Sequence, residues 1–543
     1  MEQDPSHSVG EAAALRYVTC GVGPVDLDGG TILLGLIRRP THSRRARVAQ
    51  SSAAREASMR AMVEGSEPGS DRDTDRMQDA DAGRAVPVVG PIDGPLAALE
   101  VKAAAAAPGT PRRSLWRHPD YMKLWTASTV SLMGSQISLI AIPFIATVVL
   151  NASPFQIALL ASTEMLPFIL FTLPAGAWLD RIRRRPVLIA GDIGRGIALL
   201  TIPVAFAAGV LTIWQLYLVA FVTGSLTVLF DVADQSYLPA LLDREDLVEG
   251  NAKLQIPAAA AQIAGPAIGG GLIGIVAAPF TVILDAVSFF ASGGLVSLIR
   301  KQEHKPARSI ATDGSKTNLR TEIAEGLRYV LGNRHLSRIA GSTATSNLGT
   351  SIAFAVFPYF VYRELGLSPA LVGAAFGLGS IGILAGAVAA APLARRFGVG
   401  PMIVGSMFAT GPAAFLVVFL PAAGTSPSSA VIPAAALAAG ALLVTQGLLM
   451  SFTSVVYNVN QVSYRQAITP LTMQGRMNAT MRFIVWGTMP LGSLIGGLLA
   501  SVFPVRAAIL IGAIVASTAF LWVLFSPVRS LREIPTALPE ERA

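Results

Sequence analysis

LQIPAAAAQIAGPAIGGGLIGIVAAPFTVIL, residues 254–284, contains no Asp, Glu, Lys or Arg. A bilayer core about 30 Å thick is crossed by roughly 20 apolar residues rising 1.5 Å each in a helix. The stretch is therefore long enough to cross the hydrocarbon, and its break near VAAPF lets the chain turn back. Further charge-free windows lie at 126–150, 196–230, 339–362, 365–394, 397–464, 483–505 and 507–528. The window at 196–230 divides at AAGVLT and the one at 397–464 at PAAGTSPSS. With two segments that each hold one acid, the count reaches twelve spans. They lie near 122–149, 154–179, 187–208, 213–234, 252–276, 279–299, 338–361, 369–392, 400–420, 430–457, 475–501 and 504–526.

Composition agrees. Of 543 residues, 52% are hydrophobic and 14% charged, whereas a soluble chain carries about a quarter charged residues. The net charge of +8 divides into −3 over residues 1–111 and +11 over the rest. In the membrane body the basic residues gather on alternate loops, and the opposite loops hold only Arg363 and Arg506. By the positive-inside rule this places both termini in the cytoplasm and the protein in the cell (inner or plasma) membrane. The basic excess is then topology and attraction to the lipid bilayer, and no nucleic acid is expected as a partner.

Residues 1–111 carry mixed-sign runs such as SDRDTDRMQDADAGR and too few apolar residues for a core. They read as a disordered extension, or as a misassigned start with initiation at Met59 or Met77. Glu2, Asp4 and Glu11 argue against a signal peptide. One cysteine, Cys20, and five scattered histidines leave no metal site, and no cofactor is expected. There is no Gly-rich nucleotide loop, Walker lysine or nucleophile elbow, so the chain does not read as an enzyme.

The longest polar insertion, in 300–337, leaves six spans on either side: a first bundle in 112–299 and a second in 338–528, followed by a tail at 529–543. Within the insertion, Ile323, Leu327 and Val330 share a helical face, which suggests a short amphipathic helix at the membrane surface. The halves echo each other. LDRIRRRPVLIAG (179–191) is matched by LARRFGVGPMIVG (393–405), and NAKLQ with GPAIGG by NATMR with PLGSLIGG. Parallel repeats of this kind build a site between two bundles.

GAWLDRIRRRPVL, from Gly176, resembles the loop 2/3 signature of the major facilitator superfamily, departing from it at Trp178 and Arg183. GPAIGG (265–270) resembles the span 5 signature of antiporters. FDVADQSYLPALL, NAKLQ, ILDAVSFF, RQAITP and GRMNATMRF are similar to the bacterial efflux branch containing macrolide exporters and the enterobactin exporter. The resemblance covers about 115–525. It implies an all-α membrane fold of two six-helix halves, acting as a monomer that exports a small organic substrate in exchange for protons.

Intramembrane charges need a partner or a role. Glu164 sits near the middle of span 2 with no cation within a helical turn. It is either a proton-coupling carboxylate or a carboxyl that orders the bundle. Asp192 and Arg195, at i and i+3 on span 3, form a local ion pair, or Arg195 is a switchable partner of Glu164. Asp285 in span 6 is a second proton-site candidate. At the inner mouth lie Gly176, Asp180, Arg181, Arg184 and Arg185, with Asp231 and Asp234 closing span 4. The resemblance implies a latch of Asp180, Arg181 and Arg185 with Asp231 as acidic partner, against simple positive-inside anchoring. Span 4 lacks the arginine that drug and proton antiporters often carry there.

Gly265, Gly269 and Gly270 allow close helix approach, and Pro266 favours a kink. The resemblance implies that spans 1, 4, 7 and 10 line the cavity. They carry Ser131, Ser135 and Gln136, then Thr223 and Thr227, then Asn347 and Thr350, then Gln446, Tyr457 and Asn458. Hydroxyls and amides suit a neutral or amphipathic organic substrate better than a phosphate, or they act as glue between helices. Proton-coupled export competes with import or uncoupled facilitation on the same fold, and with a membrane sensor, for which no output domain is visible.

Overall fold

A backbone in hydrocarbon has no water to bond, so an apolar segment that enters it closes its hydrogen bonds within a helix. The computed structural model describes residues 114–179, 182–243, 246–301, 303, 319–420 and 434–533. Among these there are helices and turns and no strands. The extension 1–111, Asp180, Arg181, most of the linker and the final residues of the tail lie outside the described residues.

The first half contains α1 (Pro119–Phe144, continued by a π turn, Ile145–Val149), α2 (Pro154–Leu179) and α3 (Arg184–Ala207). It continues with α4 (Ile213–Leu241), α5 (Leu247–Ile275) and α6 (Ala278–Ser297). A short helix, α7 (Leu319–Gly332), precedes α8 (Arg334–Tyr359, continued by a π turn, Phe360–Glu364). Then come α9 (Pro369–Phe397), α10 (Val399–Phe419), α11 (Ala434–Ala467), α12 (Leu471–Val502) and α13 (Val505–Leu524). Polar caps set several starts. Thr212 accepts from the Gln215 amide, and Asn333 from the amides of His335 and Leu336. Gly398, at φ 98°, makes the break between α9 and α10.

Eleven of the long helices are apolar enough to cross a membrane. The twelfth, α8, is 26 residues long but rich in Ser, Thr, Asn and Gly. It is packed among α2, α12 and α13, where polar groups find partners. Asn347 donates to the Val485 carbonyl at 3.2 Å, and Thr343 shares a hydrogen bond with the Tyr457 hydroxyl at 2.6 Å. Several helices outrun the hydrocarbon length that sets the expected limits: α4 continues to Leu241 and α11 to Ala467. The expected face of the linker helix is divided. Val330 is buried, while Ile323, Leu327 and Leu331 are exposed, because Gly326 brings α7 down onto Arg476 and Thr480 of α12.

The two halves are packed alike. In the first, α1 meets α5 and α6, α3 meets α4 and α6, and α2 meets α4; in the second, α8 meets α12 and α13, α10 meets α11 and α13, and α9 meets α11. Between halves, α2 lies against α12 and α5 against α9. A Cβ at Gly265 would collide with Gln136 of α1, and one at Gly269 would come 3.0 Å from the Ile137 backbone. Gly270 faces the other half instead: a Cβ there would meet the Pro369 carbonyl, as one at Gly373 would meet that of Pro266.

The hydrophobic clusters show where the halves are closed. At the end carrying the α1–α2 connection, Ala158 belongs to a cluster of the second half, and Tyr359 and Phe376 pack onto a cluster of the first. At the opposite end each cluster draws its residues from one half alone. Buried apolar clusters therefore span the seam at one end, while at the other each stays within its own half.

Gly373→Val is expected to destabilise the protein by roughly 1–3 kcal/mol through overpacking at the α5–α9 seam. Gly271→Val, where nothing lies within 4 Å, should leave thermal unfolding almost unchanged.

Candidate functional site

Exposed apolar residues mark the outward face of each helix, so the opposite face looks into the space between the halves. On α2 the outward face carries Leu166 and Leu170. Glu164, two residues before Leu166, is turned about 200° away at 100° per residue. It is exposed by area, although its helix is held between α4 and α12. Its side of α2 is the one turned toward the protein, with the Glu164 backbone carbonyl lying against Gly224 of α4. On α4 the exposed Trp214 and Leu218 lie opposite Thr223, Thr227, Asp231 and Asp234, which share one face. On α12, Leu491 and Leu498 look outward while Asn478, Arg482 and Trp486 look inward. The Arg482 guanidinium lies 4.6 Å from the Trp486 ring centroid, and Trp486 packs at 5.3 Å against Phe168 of α2.

Asp231 lies within electrostatic reach of both Arg195 in its own half and Arg482 in the other. Asp234 is close to Asp231, Asp192 and Arg195. The expected limit of span 4 put these two acids at its mouth. In the structure α4 runs on to Leu241, so they sit two to three turns inside the helix. Among the described residues no hydrogen bond joins Asp231 to Arg185, and Asp180 and Arg181 of the expected latch lie outside them. Arg185 instead donates from Nε to the Val296 carbonyl at 3.2 Å and from Nη2 to that of Ser297 at 2.5 Å, capping α6.

Arg195 is 6% exposed and its guanidinium lies between the rings of Phe230 at 4.3 Å and Phe289 at 4.2 Å. It donates to Asp192 at 2.5 Å and to the Thr227 hydroxyl at 3.4 Å. Of the two arrangements open to Arg195, the structure contains the local pair; its described partners do not include Glu164. Glycines on α3 make room for this: a Cβ at Gly194 would strike Leu226 of α4, and one at Gly196 would strike Phe290 of α6. Asp285 is 2% exposed and accepts from Ser138 of α1 at 2.5 Å and from Ser288 at 3.3 Å. It ties α1 to α6.

At the open end, Gly176 lies in the last turn of α2. Arg184 pairs with Glu303 at 3.3 Å, and the same carboxylate accepts the backbone amides of Arg184 at 2.8 Å and Arg185 at 3.1 Å. A carboxylate at a helix N-terminus is stabilised by its free amides and dipole. Nothing in the local sequence marked Glu303, because it comes from beyond α6.

Most of the polar cavity candidates are engaged locally. Ser131, Ser135 and Thr223 donate to carbonyls of their own helices. Gln136 is packed under Gly265, and Asn458 accepts from Gln461 at 2.9 Å. Thr227, Thr350 and Gln446 are half-buried. The residue that sequence reasoning missed is Arg482. Its signal was the R-x-x-x-W spacing with Trp486, one helical turn apart.

Asp192→Ala is expected to destabilise by roughly 3–5 kcal/mol, since it strands a buried guanidinium. Asp192→Ala with Arg195→Met should recover much of the loss in thermal unfolding.

The family model described as Major Facilitator Superfamily matches residues 124–463 and, in a second match, 339–542. Multidrug efflux pump Tap of Mycobacterium tuberculosis is 26% identical over 438 residues, 78% of this chain and 96% of that protein. An uncharacterised MFS-type transporter of Bacillus subtilis, YfiS, is 26% identical over 209 residues, 38% of this chain; the match spans about half (48%) of YfiS. A second, YkuC, is 25% identical and spanned over 59% of its length. Among solved structures, a bacterial homologue of the iron transporter ferroportin in an inward-facing state superposes with TM-score 0.57 at 18% identity, over 76% of this chain and 99% of that one. The nucleoside transporter NupG gives 0.55 at 14% identity, over 75% and 99%.

Proposed function

Because this chain belongs to the Major Facilitator Superfamily and is a multi-pass membrane transporter rather than an enzyme, we propose that it is a secondary active exporter of small organic molecules, driven by proton entry. One observation carries this reading: buried apolar clusters join the halves at one end only, and toward the other end Asp231 of the first half stands within electrostatic reach of Arg482 of the second. A cavity reached from one side only is what alternating access requires, and rocking of the halves about the α2–α12 and α5–α9 contacts would reverse it.

The charge placement supports one orientation. The end opposite the α1–α2 connection carries the basic loops, which the positive-inside rule favours as the cytoplasmic end in the cell membrane, with both termini inside. The bundles 112–299 and 338–528 act as the moving bodies of a monomer, joined by 300–337. Asp192, Asp231 and Asp234 lie near two arginines, Arg195 and Arg482, which leaves one negative charge in excess. Excess negative charge bounded by protein is relieved by a bound proton or by a cationic group on the cargo. Competition between those two couples proton entry to export. Glu164 is the proton site with the freest path to water, and Arg482 ties the charge of the second half to that of the first. Phe168 and Trp486 offer rings to an amphipathic substrate. Arg184, Arg185 and Glu303 hold the α2–α3 connection as the frame of the inner gate.

Relatives add direction: Tap is a multidrug efflux pump matched over almost its full length. In cells lacking other pumps, expression of the protein should lower accumulation of at least one drug in a panel, and a protonophore should abolish the difference. Glu164→Gln should remove gradient-driven export while leaving protein level and thermal stability intact. Unchanged export in that variant would sink the proton role of Glu164.

A further inference from the structure

The closed end contains a structural repeat with an unequal charge. PFIATVVLNASP (143–154) and PYFVYRELGLSP (358–369) share Pro, Leu, Ser and Pro at identical spacing. Each copy runs from a spanning helix into a π turn, Ile145–Val149 in one and Phe360–Glu364 in the other. Each then closes with the same bonds: Leu150 N to Ile145 O and Leu365 N to Phe360 O at 2.9 Å, then Ala152 N to Ala146 O and Leu367 N to Val361 O at 2.9 Å. The following residue pairs match as well. Asn151 and Gly366 take positive φ, 51° and 66°, and Ser153 and Ser368 each accept the amide three residues on, at 3.3 Å.

The two π turns touch across the seam between the halves, with Phe144 edge-on to Tyr362 at 5.1 Å. Only the second copy carries a charge pointed at the first. Arg363 donates from Nε to the Thr147 carbonyl at 3.0 Å and from Nη2 to the Val148 carbonyl at 3.3 Å and to the Asn151 side-chain oxygen. The corresponding residue of the first copy is Val148, which can return nothing. The last carbonyls of a helix lack intrahelical partners and carry the negative end of its dipole, so one guanidinium caps α1 from the opposite half. Arg506, the other basic residue of these loops, stays within its own half, donating to the carbonyls of Val418 at 3.0 Å and Leu420 at 2.9 Å beneath the Phe360 ring.

We infer that Arg363 is the gating latch of transport: by capping the end of α1 across the seam, it holds the halves shut on this side and sets how often they open there. The inference rests on the transporter reading. Arg363 is exposed, so the latch releases at modest cost, as a gate that cycles requires. Its acceptors are two backbone carbonyls and a side-chain amide oxygen.

The test measures distance across the seam. With Cys20 replaced by Ser, spin labels at Val210 and Ala370, exposed residues of the two halves at this end and outside the latch, report opening in purified protein in nanodiscs. The parent should show a predominantly short distance. Arg363→Gln should raise the long-distance population about fivefold or more. Arg363→Lys, which keeps the charge but not the fork, should fall between them. Asn151→Gly, which removes one acceptor and keeps the turn, should give a smaller rise than Arg363→Gln. The same distribution in Arg363→Gln as in the parent overturns the inference, as does an Arg363→Lys variant indistinguishable from Arg363→Gln together with an inert Asn151→Gly. If the unaltered protein moves no drug in the accumulation assay, the export reading fails while the distance result still decides whether Arg363 holds the seam.

Discussion

A charge inside hydrocarbon must be answered by the protein itself, and in this molecule one guanidinium organises half of the bundle. Arg195 of α3 is held by Asp192 on its own helix, by Thr227 and the Phe230 ring of α4, and by the Phe289 ring of α6. Asp285 then ties α6 to α1 through Ser138. Four helices are thus joined by polar contacts that lose their compensation if the helices separate. In the second half, Asn347 bonds the Val485 carbonyl and Thr343 bonds Tyr457.

Between the halves the contacts are of a different kind, made by glycines against carbonyls on α5 and α9 and by small residues such as Ala158 and Gly497 on α2 and α12. Smooth backbone surfaces can slide or part without first uncoupling interlocked side chains. Asp231 of the first half and Arg482 of the second stand within electrostatic reach across this surface.

Much of this was legible in the amino-acid order. Span number, the division into halves, the packing glycines and the Asp192–Arg195 pair are local properties, readable from charge-free length and from i, i+3 spacing. The misplacement of Asp231 and Asp234 has a physical cause. Hydropathy measures where hydrocarbon ends, whereas a helix ends where its hydrogen bonds do, and α4 continues to Leu241. Glu303 acts on residues remote in sequence, so no local pattern reports it, and the local spacing of Arg482 with Trp486 does not reveal its reach to Asp231 in the other half. Arg363 entered the sequence reading only as an exception to a charge count. Its meaning depends on a carbonyl more than two hundred residues away.

The paired π turns carry one further implication. A π turn holds one residue more than the α turn it replaces, so it is the trace of a single-residue insertion. Here the trace occurs at the same place in both halves, followed by the same Leu, Ser and Pro spacing. The simplest history is one insertion in an ancestral six-helix unit, copied when that unit doubled. With arginine at one copy and valine at the other, the two turns meet as a donor and an acceptor.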